Sequence, residues 1–220
     1  MIKKNKKVVS FVPIKLESRR VEKKNLIKFN GKPLYKYILE TLSKVKNIDQ
    51  IYLFCSDELN FNDLPKGVKF LKRDKKLDHD DTLGAEIYDA FLSLIDADIY
   101  VLAHATSPFL SPSSIEFSID KVISENYDSA FSVYKQKTFA WYKDKPINYS
   151  IEKVIKTQQL EPIYTETSGF YIFKKELWQN EKKRVGYKPY KFELNNIEAI
   201  DIDDNDDVKL TKIILEKSNA

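Results

Sequence analysis

Residues 8–25 read VVSFVPIKLESRRVEKKN. The run Val8-Val9-Ser10-Phe11-Val12 is almost wholly apolar, as a strand buried on both faces requires. Pro13 breaks it, and Lys15, Arg19, Arg20, Lys23 and Lys24 follow, with Ser18 and Asn25 among them. A buried strand that opens into a cationic loop points to an α/β sheet, because such sheets bind ligands beyond the carboxyl ends of their strands. The stretch reads as a loop for a nucleotide triphosphate. It has no glycine, so a Walker-type loop is excluded. A solvated run of surface lysines is the other reading of the same charges.

Strand and helix patterns alternate onward from this stretch. Strands are predicted at 7–14, 51–55, 68–71, 99–103, 129–133, 169–173, 191–194 and 197–202. Leu34, Tyr37, Ile38, Leu42 and Val45 recur at helical spacing and predict a helix over 33–46. Leu83, Ile87, Ala90, Phe91 and Leu94 do the same over 82–95. The serines at 111, 113 and 114 offer N-cap chemistry for a helix to about 124, and a last helix is expected over 203–216. The pattern weakens over 135–165, an aromatic and polar excursion that reads either as a dimerisation arm or as a lid. The expectation is an α/β fold, a mostly parallel sheet with helices on both faces, in a single domain over 1–220.

The totals narrow the function. With 220 residues, 42% hydrophobic and 32% charged, the composition is that of a soluble globular protein able to bury a full core. A net charge of +4 gives no global case for nucleic acid, and the basic residues are not interleaved with aromatics. The one cysteine, Cys55, cannot form a disulfide within the chain, which fits a reducing compartment. The opening MIKKNKK lacks a following h-region and cleavage site, so no secretory signal is expected. No apolar run approaches the roughly 20 residues that span a bilayer. A cytoplasmic protein without membrane contact is expected.

Four polar segments follow predicted strands: 15–25, 73–82, 104–108 and 201–203. A parallel sheet gathers them along one edge. In an extended Ile200-Asp201-Ile202-Asp203, both carboxylates point to one face and suit a hard cation such as Mg2+. Alternatively one acid here caps the final helix and Asp201 is a solvated edge residue. His104, at a strand end, reads as a site residue or as a hydrogen-bonded structural histidine. His79 reads as solvent-facing, Cys55 as core, and Trp141 and Trp178 as packing residues.

Residues 12–25 are similar to the nucleotide-binding motif of the acylneuraminate (CMP-sialic acid) cytidylyltransferases, roughly I-P-A-R-x-G-S-K-x-x-x-x-K-N, with ungapped spacing from Pro13 to Asn25. Three more segments resemble that family in order. Residues 72–77 with Asp80 resemble R-P-x-x-L-x-x-D, residues 104–108 resemble Q-P-T-S-P, and residues 199–203 resemble the terminal D-I-D segment. Residues 166–172 resemble the family's N-G-A-I-Y-I strand. The resemblance implies a Rossmann-like nucleotidyltransferase fold, CTP as cosubstrate, Mg2+ as cofactor and a homodimer. It implies nucleotide contacts from Pro13, Ile14, Lys15, Ser18, Arg19, Lys24, Asn25, Arg73 and Asp80. Lys15, Arg19 and Lys24 are the catalytic cations it implies, and Asp201 and Asp203 the metal ligands. His104, Thr106, Ser107, Gln158 and Tyr171 are placed on the acceptor side.

The sequence departs from the family pattern at several positions. Lys15 stands for the motif's arginine and loses its planar fork. Glu17 stands for its glycine, His104 for its glutamine, and Thr157 for the basic residue before Gln158-Gln159-Leu160. The activity expected is transfer of CMP from CTP to an acidic acceptor of the nonulosonic type, with release of pyrophosphate. A phosphonate or phosphate-ester acceptor, and a nucleotide-binding role without catalysis, are the alternatives.

Overall fold

The computed structural model describes residues 6–57, 63–153 and 155–217. In chain order its elements are β1 (Val8–Pro13), a small hairpin of β2 (Lys28–Phe29) and β3 (Lys32–Pro33), α1 (Leu34–Leu42), β4 (Gln50–Cys55) and β5 (Val68–Lys72). Then come α2 (Gly84–Leu94), β6 (Ile99–Ala103), α3 (Pro112–Ser124), β7 (Ser129–Gln136), a second hairpin of β8 (Trp141–Tyr142) and β9 (Lys145–Pro146), and β10 (Ile163–Lys174). The chain continues through α4 (Lys175–Glu181), β11 (Pro189–Leu194) and α5 (Asn205–Lys217).

The main sheet has the order β11-β7-β10-β6-β1-β4-β5. β1 lies parallel between β4 and β6, while β10 runs antiparallel to both β6 and β7. The sheet is therefore mostly parallel, and β10 alone brings its amino-terminal half to the edge where the other strands end.

Alternate residues of the central strands feed two separate cores, as the period of two in a strand dictates. Val8, Val12, Leu53, Cys55, Val101 and Ala103 pack with Ile38, Leu39 and Leu42 of α1 and Ile115, Ile119 and Val122 of α3. Val9, Phe11, Tyr52, Phe54, Tyr100 and Leu102 pack with Tyr88 and Phe91 of α2 and Trp178 of α4. Helices thus cover both faces. Phe11 stacks on Phe91 at 4.2 Å between centroids, and both rings are fully buried. A third cluster joins Val21 of the cationic loop to Phe29, Leu34, Ile202 and Val208. It fastens that loop to the segment carrying Asp201 and Asp203.

Several predicted boundaries shift. α1 stops at Leu42, where its last turn tightens into bonds from Lys44 and Val45 to the carbonyls three residues back. β7 and β10 extend well past their apolar cores into the 135–165 region, because each pairs with the other along its polar end. α4 is absent from the sequence reading. The strand predicted at 197–202 does not form. The Asn195 side chain accepts the backbone N–H groups of Ile197 and Glu198 at 2.9 and 3.0 Å, so an Asx turn closes there instead. Asp201 and Asp203 therefore lie in irregular backbone rather than on one face of a strand. Among the described residues, no helix is long and apolar enough to cross a membrane.

Candidate active site

Ile14 N–H makes a last bond to the carbonyl of Phe54 on β4 at 3.1 Å, and the chain then turns across the sheet edge. Asn25 is buried, and its side-chain amide donates to the carbonyl of Lys15 at 2.7 Å. That bond closes residues 15–25 into a loop, helped by Lys23 in the left-handed region at φ 47°. The loop cations already have partners. Lys15 Nζ donates to the carbonyl of His79 at 2.8 Å, and Arg19 Nε donates to Asp80 at 2.7 Å. Arg20 donates to Asp203 at 2.7 Å. Lys24 Nζ donates to the carbonyl of Ile202 at 2.6 Å and stands 3.4 Å from Asp203. The Arg19 guanidinium holds the Asp80 carboxyl below its ordinary range.

An open cleft of 1330 Å³ separates this loop from residues 72–81; Lys15, Ser18, Arg19, Arg73 and Asp80 are among its lining residues. Glu17 lines it too, and none of the ion pairs found among the described residues includes Glu17. Arg73 has a fully buried side chain that donates to the carbonyl of Ile14 at 3.1 Å and pairs with Asp78. Ser56 donates to the other oxygen of Asp78. The remaining nitrogens of Arg73, Nε and Nη1, are buried and without partner among the described residues. Unpaired buried donors carry a free-energy cost.

Ile202 N–H donates to the carbonyl of Thr106 at 2.9 Å, which brings the 104–108 turn against the aspartates. Burial pushes the Asp201 carboxyl up, a bond from Thr106 lowers it, and the nearby Asp203 pushes it up again. Its Oδ1 is buried with no partner. Asp203 is half-exposed and faces Arg20 and Lys24. The helix-capping role belongs to Asp204, which accepts from Asp206 N and Asp207 N. No cluster of three or more metal-ligating side chains occurs among the described residues.

His104 lies beside this group at the end of β6. Its Nδ1 is bonded to the carbonyl of Ser168, which can only accept, so Nδ1 carries the proton and Nε2 keeps a free lone pair. Burial pushes its pKa down, against the effect of that bond, and the charges of Arg184 and Lys24 push it further down. The imidazole is neutral. Ser168 reaches it from a left-handed conformation at φ 57°, beside Gly169, where an added Cβ would meet Ser132 and Leu110 at 3.1 and 3.2 Å. His104 stands edge-on to Tyr171 at 6.2 Å, and the Tyr171 hydroxyl donates to Glu166 at 2.6 Å.

The structure thus gathers Lys15, Ser18, Arg19, Arg73 and Asp80 around one cleft. It joins Lys24, Asp201, Asp203, Thr106 and His104 in a second group next to it. Pro13 and Ile14 end the strand beneath, and Ile14 contributes its carbonyl to Arg73. Ser107 is 1% exposed, and its buried Oγ has no hydrogen-bond partner among the described residues. Gln158 sits exposed on the 3-10 turn Thr157–Gln159, its carbonyl taken by Lys137, and no bond ties it to His104 or Tyr171. Sequence reasoning missed Asp78, Glu166 and Arg184. Asp78 stands five residues after Arg73 and was legible as a local partner. Arg184 lies in a connection that carries no periodic signal.

The fold is that of a Rossmann-like nucleotidyltransferase. A CMP:2-keto-3-deoxy-manno-octonic acid synthetase solved in complex with CTP superposes with a TM-score of 0.70 at 13% identity, over 96% of this chain and 99% of that one. A 4-diphosphocytidyl-2C-methyl-D-erythritol synthase from Anaerococcus prevotii superposes with a TM-score of 0.69 at 13% identity, over 97% and 98% of the two chains. At sequence level a cytidylyltransferase family model matches residues 9–217, and the chain belongs to that family. It is 25% identical over 224 residues to the pseudaminic acid cytidylyltransferase of Campylobacter jejuni, covering 94% of this chain and 96% of that protein. It is 23% identical over 214 residues to the N-acylneuraminate cytidylyltransferase of Streptococcus agalactiae, covering 91% of this chain and 51% of that protein. The chain spans about half the length of the N-acylneuraminate cytidylyltransferases it matches.

Proposed function

We propose that the protein transfers CMP from CTP to an acidic sugar of the nonulosonic type and releases pyrophosphate. The observation that carries this reading is the docking of the cationic loop on the aspartate segment through Lys24, in a chain of the cytidylyltransferase family. The nucleotide lies in the cleft that Lys15, Ser18, Arg19 and Arg73 line. Lys15, Arg19 and Lys24 exchange their protein partners for phosphate oxygens and stabilise the charge that develops on the pyrophosphate leaving group. The unpartnered, buried Oδ1 of Asp201 and the nearby Asp203 fit a hard cation. They would hold Mg2+, which supplies charge neutralisation on the phosphates. His104 presents the free Nε2 to the acceptor hydroxyl and takes its proton as that oxygen attacks the α-phosphorus in line.

We read the chain as one catalytic unit in the cytoplasm, acting as a homodimer. The β8–β9 hairpin supports the dimer: Trp141 and Tyr142 are 54% and 67% exposed, and Trp141 leans on Tyr149. Glu17 in the cleft supports the second reading, a nucleotide-binding subunit without turnover. The deciding experiment is pyrophosphate release from CTP and Mg2+ with N-acylneuraminate, pseudaminic acid and a panel of phosphonates, beside calorimetry with CTP alone. Turnover with a sugar acid is expected. CTP binding with no turnover on any acceptor would replace the enzyme by the binding subunit.

A further inference from the structure

An acidic acceptor beside His104 needs a cation that the nucleotide side does not use. Lys15, Arg19, Arg20 and Lys24 are engaged across the loop and its carboxylates, and Arg73 lies buried under the cleft. Besides Lys24, a further cation acts on His104. Arg184, in the connection between α4 and β11, lays its guanidinium 3.8 Å from the centroid of the Tyr171 ring, the ring that His104 meets edge-on at 6.2 Å. Its Nη1 donates to the Tyr88 hydroxyl at 3.1 Å. Nη2 is 3.8 Å from Glu166 Oε2, an ion pair too long to be a hydrogen bond. Glu166 is instead held by the Tyr171 hydroxyl.

Ring and hydroxyl together fix the guanidinium plane, yet Nε and Nη2 have no hydrogen-bond partner among the described residues. The side chain is 36% exposed, so these donors are reachable. A fixed planar fork with free N–H groups is the arrangement that takes a carboxylate in two parallel bonds. A surface arginine free to rotate would not offer it.

We propose that Arg184 is a specificity-determining residue that grips the carboxylate of the acceptor sugar, an inference that rests on the sugar-acid reading above. Stacking and the Tyr88 bond orient the fork, and the carboxylate fixes the sugar so that its hydroxyl faces Nε2 of His104.

The test is steady-state pyrophosphate release by the wild type, Arg184→Gln and Arg184→Lys with N-acylneuraminate and pseudaminic acid. The methyl ester of each sugar is tested as a competing ligand. Loss of a charge-assisted fork should raise the acceptor KM about 10- to 100-fold while CTP binding is kept. Arg184→Lys keeps the charge without the fork and should fall between, and it replaces the glutamine variant if that one does not fold. The esters should bind wild type and variant alike. An unchanged acceptor KM overturns the proposal. An equal loss on acid and ester also overturns it, and makes Arg184 a mere support for Tyr171. Wild-type turnover with phosphonates alone is a different result, because it overturns the sugar-acid reading without any variant.

Discussion

Lys24 Nζ lies 2.6 Å from the carbonyl oxygen of Ile202, across 178 positions of sequence. The bond falls between the two aspartates and fixes the first strand's loop on the last loop of the sheet. Lys24→Met removes this anchor together with one of the two cations that face Asp203. Pyrophosphate release should fall about 100-fold or more, the size of loss found when one preorganised group is taken from a developing charge. A variant within a few-fold of wild type would take Lys24 out of the chemistry.

Asp201 separates stability from activity. Its Oδ1 is buried without a partner, and burial pushes its carboxyl up, so a neutral isostere relieves a cost of folding. Asp201→Asn should melt at the same temperature as wild type or higher. Its turnover with CTP, Mg2+ and a sugar acid should fall about 100- to 1000-fold. Both are read on one preparation, by thermal denaturation and by pyrophosphate release. Full activity would remove Asp201 from the site.

Arg73 is the converse case. Its side chain is 0% exposed and Asp78 only 29%, so Arg73→Met leaves a partly buried carboxylate unpaired. A destabilisation of about 2 kcal/mol is expected in urea titration, below the usual figure for a fully buried pair because Asp78 retains some water. Arg73→Met with Asp78→Asn should recover part of it. A loss under about 0.5 kcal/mol would show the pair behaving as a surface one.

His104 gives a pH dependence of known sign. The folded protein holds the imidazole neutral below its ordinary value of 6.5, whereas the unfolded chain takes up a proton there. The unfolded state binds more protons, so the contribution is present above 6.5 and is lost as pH falls toward the depressed folded value. His104→Gln, whose amide N–H can still meet the Ser168 carbonyl, should flatten that part of the profile of melting temperature against pH. If the two profiles run parallel from about pH 7 to about pH 5, the histidine is not buried neutral.

Much of this molecule was legible in its chain because apolar periodicity is a direct record of burial. The 99–103 run and the serine-capped helix to Ser124 appear as predicted. So do the loop after β1 and its nearness to the final aspartates. The errors have local physical causes. The 197–202 segment alternates like a strand, but Asn195 offers its backbone a side-chain acceptor, and the turn wins. β10 looked short because its first half is polar and held by pairing rather than by burial. Arg184 was beyond reach, since a lone arginine between two elements acquires meaning only when Tyr171 lies beneath it.

The cationic loop carries its own tethered counter-ions. Asp80 and Asp203 sit on Arg19 and Arg20, and backbone carbonyls receive Lys15 and Lys24. Entry of a triphosphate is therefore an exchange of anions rather than the filling of a bare positive surface, and fewer dissolved ions leave with it. The affinity for CTP should accordingly weaken less steeply with added salt than the number of loop cations alone implies. The same tethering keeps stray polyanions off the loop until a ligand arrives that can outcompete two carboxylates at once.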